Sequence, residues 1–355
     1  VNSPKETFQS VALDHARILL IKPSSLGDIV HTLPVVAAIK ARWPAAHLTW
    51  LVKRQWADLV ERVEGVDRVW PVEATAGGLI GQVRALRVER FDLAVDLQGL
   101  FRSGVLAGFC GAPRRIGFAN GREGSPWFYT ELVPVPHHEI HAVDRYLLLA
   151  ESMGAAPQGP PQFRFTITDQ DLAVVRNSFR GQGLSLDRPW VAMHVSARWP
   201  TKRWPLESFG TVIDQLDQAG LGPVVLIGGP EDRRDVDQVR THAKSPCIDL
   251  SGEVPLGCLP ALLSKASALI TNDSGPMHVA AALGIPVVAM FGPTSAVRTG
   301  PYGSGHRVLT EPVPCSPCFS RVCRHTPQME CLHRITPGNV VEAARRLLTS
   351  RTILR

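Results

Sequence analysis

The strongest constraint on this chain is a rhythm. Short runs that are apolar throughout alternate with segments whose apolar residues recur at helical spacing. "ARILLIK" precedes "DIVHTLPVVAAIKARW", "HLTWLV" precedes "QWADLVERV", "VDRVWPV" precedes "LIGQVRALRVER", and "FDLAVDLQ" precedes "LFRSGVLAGFCG", with "RRIGFA" as a fifth strand. A run without polar alternation suits a strand buried on both faces, and parallel strands need helical crossovers between them. "MGAAPQGPPQF" (Met153–Phe163) then breaks both periodicities with Pro and Gly. Beyond it the alternation restarts, with "WVAMHVS", "PVVLIGG", "CIDLSG", "ALITNDS" and "PVVAMFG" as strands. The fold class expected is α/β, built from two βα domains, each with an open parallel sheet. The first spans 1–155, a linker spans 156–165, and the second spans 166–336. A last helix over 337–355 is left open to cross back to the first domain.

The 355 residues suffice for two such domains, and 45% apolar with 20% charged residues excludes a disordered or fibrous chain. Net charge is +6, and the region from Arg298 to Arg355 alone holds nine basic residues against three acidic ones. That basic end suits an anionic partner or, equally, a solvated helix face. The opening "VNSPKETFQSVALDHA" lacks an apolar leader segment, and no apolar run reaches the roughly 18 residues of a membrane span. A cytoplasmic location is expected.

Open α/β sheets bind ligands beyond the carboxyl ends of their strands, so the strand-to-helix joints are informative. The first is "KPSSLGDIVHTLP". There Asp28 suits a helix N-cap, with Ser24, Ser25 and Gly27 making a small polar loop and His31 one turn further on. A plain cap and a reactive carboxylate both remain open. In "DLQGLFRSG", Gln98 and Arg102 suit a polar or anionic ligand. In "HVSARWPTKRWP", Ser196, Arg198, Thr201, Lys202 and Arg203 place cations beside hydroxyls, as phosphate oxygens require. In "IGGPEDRRD", Glu231 can accept from ribose hydroxyls or cap a helix. In "ITNDSGPMHVAAALG", the backbone N–H groups of Ser274, Gly275, Met277 and His278 open a helix and form an anion site. Phosphate-loop and dinucleotide glycine fingerprints are lacking, and no D-x-D ends a strand.

"KPSSLGDIVHTLP", "DLQGLFRSG", "ARWPTKRWP", "GGPED" and "TNDSGPMHVAAALGIPVVAMFGPT" together resemble glycosyltransferase family 9, the lipopolysaccharide heptosyltransferases, in order from residue 17 to about 303. The first motif resembles the type I enzymes, the third and the "CSPC…MECLHRITP" tail the type II enzymes. The resemblance implies a GT-B fold, two Rossmann-like domains facing across a cleft, with the acceptor held by the N-terminal domain and the nucleotide-sugar donor by the C-terminal one. It implies inverting, metal-independent transfer of heptose from ADP-L-glycero-β-D-manno-heptose to the inner core of lipopolysaccharide, Kdo-lipid A or heptosyl-Kdo-lipid A. It assigns Asp28 as general base and Lys202 as the cation that neutralises the departing diphosphate. Ser196, Lys202, Glu231, Asp273, Ser274, Gly275 and His278 would bind the donor. Ser25, His31, Gln98, Arg102 and Arg122 would bind the anionic acceptor, for which Arg114 and Arg115 are further candidates beside ordinary surface arginines. No cofactor is implied. The partners would be the donor, the acceptor and transiently the inner face of the inner membrane, without nucleic acid. The alternatives are a GT-B enzyme acting on another sugar nucleotide by transfer or epimerisation, and a non-catalytic nucleotide-sugar or nucleic-acid binding protein.

Cys315, Cys318, Cys323 and Cys331 follow C-x2-C-x4-C-x7-C, with His325 and His333 close by. Zinc or an iron–sulfur cluster, reduced thiols and a disulfide all stay open at this point, because only the first pair has zinc-like spacing.

Overall fold

The computed structural model describes residues 13–73 and 78–352. The opening segment, residues 74–77 and the last three positions of the C-terminal helix as read from sequence lie outside them, wholly or in part. Two compact units emerge: residues 1–24 with 31–164, and residues 25–30 with 165–355.

The first unit holds six strands: β1 (Arg17–Ile21), β2 (His47–Lys53), β3 (Arg68–Val72), β4 (Leu93–Asp96), β5 (Arg114–Phe118) and β6 (Glu131–Val133). They form one parallel sheet in the order β3-β2-β1-β4-β5-β6. Its helices are α1 (Leu26–Arg42), α2 (Arg54–Val60), α3 (Gly78–Val88), α4 (Phe101–Phe109) and α5 (Ala142–Ser152). The apolar runs do what their composition demands: Ile18 to Ile21, Leu48, Leu51 and Leu93 to Val95 are buried. Strand order reverses between β1 and β4, which pair with Ile21 opposite Asp96. At such a switch point the crossovers leave in opposite directions, and a crevice opens at the strands' carboxyl ends.

The second unit repeats the plan. Its strands are β7 (Val191–His194), β8 (Val224–Leu226), β9 (Ile248–Asp249), β10 (Ala268–Asn272), β11 (Val287–Phe291) and β12 (Arg307–Thr310), in the order β12-β11-β10-β7-β8-β9. The helices are α6 (Asp169–Gly181), α7 (Leu206–Gln218), α8 (Arg233–His242), α9 (Leu259–Ser264), α10 (Gly275–Ala282), α11 (Ala296–Thr299), α12 (Glu330–His333) and α13 (Pro337–Thr352). The switch lies between β7 and β10, where Thr271 pairs with His194.

Two edge strands, β6 and β12, are absent from the sequence reading. Both are short, and β12 is largely exposed, so neither carries a buried apolar run. The C-terminal helix α13 packs Val340, Ala343, Ala344 and Leu347 into the core of the second unit, beneath α7 and β10 to β12, in place of the crossing-back left open from sequence. Its basic outer face is tied internally, with Arg345 and Arg346 both paired to Glu342. No helix among the described residues is long and apolar enough to cross a membrane.

Candidate functional site

In the second unit the switch point gathers most of the residues expected to bind the donor. The loop after β7 carries Ser196 and, in the short turn Pro200–Lys202, the cation Lys202. The loop after β10 carries Asp273, Ser274 and the start of α10. A buried amide joins the two: Asn272 accepts from the Trp204 N–H at 3.0 Å and donates to the Val195 carbonyl at 2.7 Å. Lys202 Nζ then reaches Asp273 Oδ2 at 2.6 Å, with side chains 18% and 5% exposed. Thr294 Oγ1 donates to the same Oδ2 at 2.6 Å, and Lys202 also lies 4.9 Å from the centre of the Trp199 ring.

Ser274 caps α10 in extended conformation and shares a 2.8 Å hydrogen bond with Thr271 Oγ1. The eight-residue α10 starts at Gly275, two residues after Asp273, and the first amides of a helix lack intrahelical partners. An ammonium, helix amides and the dipole together suit a diphosphate.

Residues 25–30 group with this unit. The Gly27 Cα lies against the His278 ring, where a Cβ would stand 2.4 Å from Cδ2. Gly275 lies equally close to Leu26. The turn holding Asp28 therefore packs on the start of α10. Asp28 occupies a different cap position from the one expected: Ser25 is the N-cap, and Asp28 Oδ2, three residues on, accepts from both Ser25 N and Ser25 Oγ at 2.9 Å. The carboxylate thus satisfies the N-cap amide, as the third helical residue of a capping box does.

Other expected donor residues are engaged with neighbours that the sequence reading left out. Ser196 Oγ donates to Asp235 at 2.9 Å, and Asp235 also pairs with Arg203. Glu231 is exposed, second in the turn Pro230–Asp232. Its neighbour Asp232 accepts from Gly229 N at 2.9 Å and lies 3.5 Å from His194 Nε2. Burial pushes the Asp232 carboxyl up, but His194, the Gly229 amide and Ser196 outweigh it and hold the group below its ordinary value. Thr294, Asn272, His194, Asp232 and Asp235 carried no separable signal, because their partners stand tens of residues away in sequence.

In the first unit the loop after β4 is built on Asp96. Its Oδ1 accepts from Gln98 N at 2.8 Å and Gly99 N at 3.1 Å, and its Oδ2 accepts from Tyr129 at 2.6 Å. Gly99, at φ +65°, completes the turn. Burial pushes the Asp96 carboxyl up against these hydrogen bonds, and burial with the Asp96 charge pushes the Tyr129 phenol up. The turn leaves Gln98 Oε1 buried without a hydrogen-bond partner. Arg102 donates to the Glu73 carbonyl, exposed Arg122 donates its N–H to the Gly99 carbonyl, and His31 stacks edge-on to His141 with centroids 5.3 Å apart. Arg114 and Arg115 are structural: Arg114 grips Glu131 with two bonds, and Arg115 donates to the carbonyls of Phe128 and Ala112.

The four clustered cysteines are unbridged thiols lining one cavity of about 20 Å³, with Thr201 and Pro293 in its wall. Burial and the three neighbouring sulfurs push the Cys331 thiol up. Among the described residues no three His, Cys, Asp or Glu side chains stand as a metal-holding set. The loop is tied to the segments after β7 and β11: Thr201 donates to the Ser320 carbonyl, Phe319 N to the Pro293 carbonyl, and Ser316 to the Gly292 carbonyl.

Against known families, residues 81–329 match the model of glycosyltransferase family 9 (heptosyltransferase). The chain belongs to glycosyltransferase family 9. Lipopolysaccharide heptosyltransferase 2 of Escherichia coli K12 is 31% identical to this family 9 chain over 311 residues, covering 82% of it and 87% of that protein. The solved structure of E. coli ADP-heptose lps heptosyltransferase II is 27% identical with a TM-score of 0.77, covering 95% of this chain and 99% of that one. A family 9 glycosyl transferase from Veillonella parvula is 26% identical with a TM-score of 0.83, covering 96% and 99%. The family 9 enzyme is therefore a glycosyltransferase with the GT-B fold, as its motifs implied.

Proposed function

We propose that this enzyme is a lipopolysaccharide inner-core heptosyltransferase that moves heptose from ADP-L-glycero-β-D-manno-heptose with inversion and without a metal. The observation that carries the reading is the Lys202–Asp273–Thr294 set beside the N-terminus of α10. Breaking the anomeric C–O bond builds positive charge on the sugar ring and negative charge on the departing ADP. Lys202 has three N–H groups and directs one at Asp273, so others can meet the leaving diphosphate. The first amides of α10 supply the remaining donors. Asp28 would take the proton of the attacking hydroxyl, and the packing of its neighbours Leu26 and Gly27 on α10 supports that role. Glu231 and Ser196 would hold the nucleoside and its phosphates. Gln98, whose carbonyl oxygen lacks a partner, would receive the acceptor together with Ser25, His31, Arg102 and Arg122. Similarity to heptosyltransferase 2 and to the ADP-heptose enzyme supports both substrates.

The test is purified enzyme with ADP-heptose and, separately, Kdo-lipid A and heptosyl-Kdo-lipid A, following ADP release, product mass and the anomeric configuration by NMR, with and without chelator. Transfer with inversion, undiminished by chelator, is the result expected. Release of ADP without a heptosylated product, retention of configuration, or loss of transfer on chelation would each remove the corresponding part of the reading.

A further inference from the structure

Large apolar side chains are unevenly distributed on the surface of the first unit. Ile80 and Val88 on α3, Phe101 and Phe109 on α4, and Trp127 in the turn Ser125–Phe128 are 67%, 80%, 49%, 52% and 86% exposed. Single exposed apolar residues are ordinary. These belong to elements that pack on one another, α3 on α4 and α4 on the Ser125–Phe128 turn.

The sequence builds the aromatic part on purpose-spaced positions. Phe101, Val105 and Phe109 recur every fourth residue along α4, and Gly104 and Gly108 run beside them at the same spacing. Without side chains those glycines leave a groove, and the Phe128 ring fills it. A Cβ on Gly104 or Gly108 would stand 2.7 or 2.8 Å from that ring. Phe128 meets Phe101 and Phe109 edge-on, with centroids 5.6 and 6.2 Å apart. The result is a fixed aromatic ridge with Trp127 turned outward at its side.

The same elements carry exposed cations. Arg84, Arg87 and Arg90 are exposed on and just beyond α3, and the Arg87 stem lies against Gly111 at the end of α4. Arg122 is exposed beside the turn. The nearby carboxylates are engaged: Glu89 pairs with Arg17 and Arg68, Glu131 with Arg114, and Glu123 accepts from the Phe101 amide. Exposed aromatic side chains on elements that also carry exposed arginines match the boundary between acyl chains and anionic headgroups. The ridge is also continuous with the Gln98–Arg102 turn, because α4 begins there and Arg122 N bonds the Gly99 carbonyl at 2.9 Å.

We propose that the face formed by α3, α4 and the Ser125–Phe128 turn docks on an anionic lipid bilayer. The proposal rests on the reading above that the acceptor is lipid-linked, since docking there would bring the Gln98–Arg102 turn to the headgroup layer that presents it.

The test is sedimentation of the full chain with vesicles of phosphatidylglycerol and phosphatidylethanolamine, and with vesicles of phosphatidylcholine alone. The wild type should bind the anionic vesicles, less so as salt rises. Phe109→Ser with Trp127→Ser should weaken that binding on the order of tenfold or more. Arg84→Gln with Arg87→Gln should weaken it several-fold and flatten the salt dependence. Both double variants should transfer heptose to a delipidated, water-soluble acceptor as the wild type does. If wild type fails on that soluble acceptor while still binding vesicles through these residues, the functional reading fails and the docking face stands. Unchanged vesicle binding by both variants would overturn the docking face. So would a wild-type dimer that Phe109→Ser with Trp127→Ser dissolves, since a second copy would then cover the ridge.

Discussion

Lys202 Nζ stands 2.6 Å from Asp273 Oδ2, and the two residues come from loops on either side of the β7/β10 switch point. Each group sets the other's position. Lys202→Ala should lower kcat on the order of 10²- to 10³-fold with a smaller change in donor KM, as loss of a charge aimed at the leaving group does. Asp273→Ala should also lower kcat, and the double variant should lose far less than the product of the two single losses. Steady-state kinetics with ADP-heptose check this, and simple additivity would mean that the pair does not act as a unit.

Asp28 caps α1 through Ser25, and the proposed mechanism also makes it the base. The two roles separate under Asp28→Asn. An amide oxygen can still accept from Ser25 N, so thermal unfolding should fall by about 1 kcal/mol or less. It cannot accept a proton, so transfer should drop roughly 10²- to 10⁴-fold with donor binding intact. Calorimetry and ADP release, run on the same preparation, measure both.

Asp232 gives stability a defined pH dependence. Its folded-state carboxyl titrates below its ordinary value of 3.8, so the stabilisation it brings is complete above that value and is lost as pH falls through the lower folded value. Asp232→Asn should cost about 1–3 kcal/mol at neutral pH. The gap between variant and wild type should close as pH falls below the ordinary carboxylate value and through the lower folded one. Urea unfolding across that range reads the difference directly.

Gly117 faces the Tyr129 ring so closely that a Cβ would stand 2.2 Å from Cε2. Gly117→Ala must displace the ring and with it the 2.6 Å hydrogen bond to buried Asp96. The expected cost is about 1–3 kcal/mol in denaturant unfolding, with a weakened Gln98–Gly99 turn and a raised acceptor KM. Gly81, with nothing within 4 Å of its added Cβ, is the control position, where alanine should be tolerated.

By itself, the sequence determined the class and the inventory. Buried apolar runs between helical segments dictate parallel strands with crossovers, because backbone polar groups in such runs must pair in a sheet. The motif "TNDSGPMHVAAALG" located a helix start from its proline and its small apolar residues, and α10 begins there at Gly275. Short or exposed strands such as β6 and β12 carry no such pattern, so they appear only in the fold. Tertiary structure alone decided which joints become one site. Strand order places β1 beside β4 and β7 beside β10, and sequence separation says nothing about that order. Only there does Asn272 tie the β7 loop to the β10 loop, Asp273 find Lys202 and Thr294, Asp232 find His194, and a glycine-lined groove on α4 receive Phe128. Those pairings come from long-range packing and hydrogen bonding, and no local pattern of residues encodes them.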